Sequence, residues 1–157
     1  MADVCAMSLE QAAARIDVLS AETDEALRAQ ATERADELLV LGEMILETWL
    51  AARGEMPTTR EVEGFRLLAL HRQGARGEPS FNACRESCRE LVYHHNLVHH
   101  DPTHLQTAHR LRLGAMVARH LALFIGGKLE VAGLGEFCCS SRPLRRNETA
   151  MQSAEKI

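Results

Sequence analysis

"SLEQAAARIDVLSAETDEALRAQATERADELLVLGEMILETWLAAR" (residues 8–53) contains no proline and one glycine, Gly42. At the helical repeat of ~3.6 residues per turn, Leu9, Ala13, Ile16, Ser20, Thr23, Leu27, Ala31, Leu38, Leu41, Ile45 and Trp49 fall on one stripe. The stripe is strongly apolar at both ends and weak in the middle. It reads as one long helix over about 8–53, or as two helices broken near "SAETDE" (20–25). Ser8 is the expected N-cap, with Glu10 in the first turn. Such a stripe must lie against a partner. A second copy in a coiled-coil-like dimer would serve, and so would the rest of the chain.

Working outward, "ARGEMPTTRE" (52–61) should stop this helix. Gly54 suits the left-handed C-terminal position, Pro57 breaks the helix, and Thr58 with Glu61 has the capping-box spacing. Helices are expected over about 59–72, 81–98 and 102–125, the last opened by Asp101 and Pro102 and closed at Gly126-Gly127. "KLEVAGLGEFCCSS" (128–141) reads as either a short helix or an extended segment. The expected fold is all-α: a four- to five-helix bundle in one domain over 1–141, with a disordered polar tail at 142–157.

Composition fits this class. Aromatics are 4% of the 157 residues, whereas strands draw on aromatic and β-branched side chains. Nothing near the amino end resembles a secretory signal, and no run approaches the ~20 apolar residues of a membrane span. A cytoplasmic protein is the expectation. Five cysteines, an odd number, argue for reduced thiols rather than a disulfide framework. Residues 1–57 carry four basic and twelve acidic side chains; residues 58–120 carry nine and six, with all eight histidines. These segments have the charge to complement one another within a bundle or between subunits.

The chemistry concentrates in "YHHNLVHHDPTH" (93–104), where five of twelve residues are histidine. On a helical wheel Cys84, Cys88, His95 and His99 share the apolar face of their helix, while Arg85, Glu86, Arg89 and Glu90 occupy the charged one. Cys84/Cys88 and His95/His99 both have i, i+4 spacing, which lets two side chains reach one metal ion. Cys88 and His95 are about 10.5 Å apart along the axis, so one ion cannot take all four. Cys84 and Cys88 with Cys138 or Cys139 would make a sulfur site. His95 and His99 with His104 or His109 would make a nitrogen site. Zinc, iron or copper suits such donors. The plainer alternative is that the thiols are core hydrophobes and the histidines a solvated helix end.

No P-loop, G-x-S-x-G, G-x-G-x-x-G or H-E-x-x-H occurs, so an enzyme is not the expectation. The reading is a small helical homo-oligomer that binds a metal or senses redox state through Cys and His. A first alternative is an interaction module that homo-oligomerises or offers its acidic amino-terminal helix to a protein partner. A second is a DNA-binding regulator that uses helix, turn and helix over 58–98, with Thr58, Arg60, Arg66, Arg72, Arg76, Arg85 and Arg89 toward phosphates or bases. Arg-Glu alternation on the third helix weighs against nucleic acid.

Overall fold

In the computed structural model, which describes residues 8–134, Ser8 caps α1 (Leu9–Ala21). Its Oγ accepts from Gln11 N at 3.1 Å, and its own N–H donates to Gln11 Oε1 at 2.8 Å, a complete capping box. The stretch 8–53 then folds as three helices, not one. Thr23 caps α2 (Asp24–Ala29), accepting from Ala26 N at 3.0 Å, with Asp24 and Glu25 in the first turn. A capping oxygen followed by two acids favours a new start over continuation. Gln30 leaves helical geometry at φ −132° and ψ 44°, and α3 (Ala31–Ala52) begins. The kinks fold the stripe onto its own chain. Ile16, Leu27, Leu38, Leu41, Ile45 and Trp49 are all buried in one core.

Gly54 takes the left-handed conformation expected after α3, at φ 77°. The expected helix at 59–72 begins later, as α4 (Arg66–Ala75). Val62 and Phe65 instead exchange backbone hydrogen bonds of 3.0 and 2.9 Å across a tight turn. Glu63 (φ 56°) and Gly64 (φ 85°) give that turn its two positive angles. Thr58 does not cap. Its hydroxyl accepts from Arg60 N at 3.1 Å, its N–H goes to Gln73 Oε1 at 2.8 Å, and its carbonyl accepts from Arg66 Nε at 2.8 Å.

A 3-10 turn (Pro79–Cys84) leads into α5 (Arg85–His100). Asp101-Pro102 forms a turn rather than a helix start, and α6 (Thr107–Ala132) follows. α6 passes through Gly126-Gly127 because the apolar period continues from Ile125 to Leu129, both buried. It ends at Gly133, φ 68°, with Leu134 N donating to Leu129 O at 2.9 Å, a Schellman closure. The described residues therefore hold six α-helices and no strand beyond the Val62–Phe65 bridge. The architecture is an all-α bundle.

α3 lies against α1, α4, α5 and α6, and α6 lies against α1, α2, α3 and α5. Gly42 permits the close approach of α3, since a Cβ there would stand 3.0 Å from Leu91 Cδ1 and 3.2 Å from Leu67 Cδ1. The acidic and basic segments meet inside the chain. Arg66 bonds Glu47 at 2.5 Å, Arg112 bonds Asp24 at 2.6 Å, and Arg119 pairs with Asp17. Among the described residues no helix is long and apolar enough to cross a membrane.

Candidate metal centre

α5 carries the His95/His99 pair and Cys88, Cys84 is its N-cap residue, and its two ends have different surroundings. At the carboxyl end, His95 and His99 face Asp36 of α3. Nε2 of each ring lies on the same atom, Asp36 Oδ1, at 2.9 and 2.8 Å. The two rings are 4.3 Å apart, centroid to centroid. Phe65, placed by the turn before α4, sets its ring edge-on to His95 at 5.7 Å. His95 Nδ1 is 3.2 Å from Asn96 Oδ1. Without a metal, Nε2 carries the proton that bonds Asp36; were an ion to displace it, a proton on Nδ1 donated to that amide oxygen would leave the Nε2 lone pair pointing at the shared centre.

Exposure is graded across the trio, with the His95 side chain 15% exposed, His99 39% and Asp36 59%. An ion here would touch protein on one side and keep positions open to solvent on the other. Burial raises the Asp36 carboxyl, but the hydrogen bonds from His95 and His99, together with their charge, outweigh it and hold the group below its ordinary value. Asp36, His95 and His99 form the one set of three His, Cys, Asp or Glu side chains, among the described residues, with ligand atoms all within 4.8 Å of one another.

The expected third ligands are elsewhere. His104 uses Nδ1 to accept from Gln106 N at 2.9 Å, closing the turn before α6. His109 is exposed on α6. Both stand outside the set of three, and α6 starts five residues later than expected, after a turn over 101–106. His94 is not part of the set, and it is not solvated either. It is half-buried against α6, 3.8 Å from a Cβ position at Gly114, and its Nδ1 has no partner. Burial lowers its pKa. His100 is exposed.

Cys84 and Cys88 lie at the other end of α5, buried at 2% and 0% exposure. Their neighbour is His71 of α4, which the sequence reading did not single out. His71 Nε2 meets the Phe81 carbonyl at 2.9 Å, and the Cys84 thiol reaches the same oxygen at 3.3 Å. Phe81 organises the region, with its ring 5.5 Å from His71, 5.8 Å from Trp49 and 5.9 Å from Phe124. A hydrogen bond from Cys88 and a second from His71 bring Cys84 down to about 6 against the cost of burial. Cys88, donating to Cys84 and buried, is pushed well up. His71 is raised, because its bonds to Cys84 and Phe81 O outweigh desolvation. Cys138 and Cys139 lie outside the described residues.

The signs decide the pH window. Cys84 is depressed from 9.0, so its stabilising share is complete in alkali and is lost as pH falls through about 6. His71 is raised from 6.5, so its share is complete in acid and is lost as pH rises through its folded value. The thiolate–imidazolium pair is therefore strongest between those two titrations. Thiolate absorbance near 240 nm, taken as wild type minus Cys84→Ala, should rise with a midpoint at about 6. Cys88→Ala should move the midpoint up, and Cys88→Ser should largely restore it. A midpoint unmoved by Cys88→Ala would remove the thiol pair from the account.

No protein-family model, curated protein or solved structure matches this chain.

Proposed function

We propose that this helical protein binds one divalent metal ion through Asp36, His95 and His99. The observation that carries the reading is the convergence of two imidazole Nε2 atoms on one carboxylate oxygen across two packed helices. Two histidines and one carboxylate with open positions are a donor set for zinc, iron(II) or copper(II). The helices supply rigidity: α3 and α5 are held together by Gly42 and Leu91, so the three donors are positioned before an ion arrives. Asn96 would fix the His95 tautomer, and its loss should weaken binding by about tenfold. The set is nitrogen and oxygen, with the buried thiols excluded from it.

Cobalt(II) added to the chelator-stripped full chain tests this. Visible d–d bands without a near-ultraviolet thiolate band are expected, and His95→Ala or His99→Ala should remove them. A thiolate-to-cobalt band would transfer the metal to the cysteines. No bands at all would leave Asp36 as the shared hydrogen-bond acceptor of two histidines and nothing more.

A further inference from the structure

Four of the arginines assigned to the DNA-binding alternative gather around one cleft between α4 and α5. Arg72 and Arg76 come from the end of α4, and Arg85 and Arg89 from the first turns of α5. Asn82 of the 3-10 turn joins them, and Val62 and Leu68 form an apolar wall. The cavity measures about 370 Å³.

Its charge is not balanced. Arg89 holds Glu63 at 2.9 and 3.2 Å, and both Arg89 and Arg72 keep the Glu63 carboxyl below its ordinary value. Arg72, Arg76 and Arg85 have no carboxylate within 4.0 Å among the described residues. Arg15 and Arg119, by contrast, each hold one, and Arg34 and Arg66 each hold two. The chain is net acidic at −4, so carboxylates are plentiful while this cleft takes one for four guanidiniums. Like charges around a shared cavity repel one another, and a bound anion would reverse that sign.

We infer that this cleft binds a small phosphorylated molecule. Guanidinium forks match the oxygens of a phosphate group two at a time, and a phosphomonoester or diphosphate supplies enough charge and acceptors for three of them. The volume accommodates a phosphate with a small organic body, which would lie on Val62 and Leu68. Glu63, held by the lining residue Arg89, puts a carboxylate beside the cleft and would repel a continuing phosphodiester strand. That carboxylate decides for a small ligand over nucleic acid. The inference is independent of the metal centre, since no residue is shared.

The test is calorimetric titration of the full chain at low salt with inorganic pyrophosphate, with AMP and a short duplex DNA as separate arms. One saturable site for pyrophosphate or AMP is expected. Arg76→Ala and Arg85→Ala should each weaken it about tenfold or more, as for a lost charge-assisted contact, without changing the melting temperature. Arg28→Ala on α2, which removes the same charge elsewhere, should leave affinity unchanged. Absence of saturable binding of either small probe would overturn the inference, as would equal weakening by Arg28→Ala. Duplex DNA bound more tightly than pyrophosphate, and lost in the same two variants, would replace the cleft with a nucleic-acid interface.

Discussion

Aspartate in place of Leu41 will unfold the protein. Leu41 is 2% exposed in the core of α3, and the substitution removes a packed side chain while burying a carboxylate without a partner. The two penalties together come to about 5 kcal/mol or more, comparable with the total stability of a domain, about 5–15 kcal/mol. Circular dichroism should show loss of helix and no cooperative thermal transition. Val40→Asp, one residue earlier at a half-exposed position, should cost about 0.5 kcal/mol or less. An oligomer seam at Leu41 would give a different result, a dissociated subunit that keeps its helices. Recovery of such a folded subunit would show that the stripe faces a second copy and not this chain's own α6.

Zinc should stabilise the wild-type chain and fail to stabilise its ligand variants. At free zinc about 100 times its dissociation constant, linkage gives about 2.7 kcal/mol, or about 5–10 °C in melting temperature for a chain of this size. Asp36→Asn, His95→Ala and His99→Ala should each abolish the shift. His94→Ala, His100→Ala and His104→Ala should keep it. The ligand variants fold because Asp36 and His99 are exposed and His95 lies at the edge of the core. Equal behaviour of all six variants would reduce the histidines to a polar helix end.

Much of the fold was legible because apolar period and capping chemistry agree along most of the chain. Ser8, Thr23 and Gly54 punctuate the helices where their chemistry suggests. The errors lie where tertiary contacts outvoted local signals. Thr58 and Glu61 have a capping-box spacing, but Gln73 and Arg66 take the Thr58 backbone groups and the Glu63-Gly64 turn delays the helix. Gly126-Gly127 looked like a terminus, yet neither glycine has a positive φ and Leu129 still has a core to enter. Gln30 carries no local stop signal, yet the chain leaves helical geometry there.

The site was half legible for a similar reason. Spacing on one helix revealed His95 and His99 as a pair, since i, i+4 neighbours depend on nothing beyond that helix. Their common partner is 59 and 63 residues away. Asp36 sits beside the apolar stripe of α3, and nothing local separates it from the other acids of residues 1–57. His71 was obscured in the same way: a single histidine within an apolar helix gives no sign of the thiol it meets.

Equilibrium dialysis of the chelator-stripped full chain against buffered zinc, followed by elemental analysis, tests the metal centre most directly. One zinc ion retained per wild-type chain, and none per chain of the Asp36→Asn, His95→Ala double variant, is the predicted result. Equal zinc in both proteins, or none in either, would contradict it.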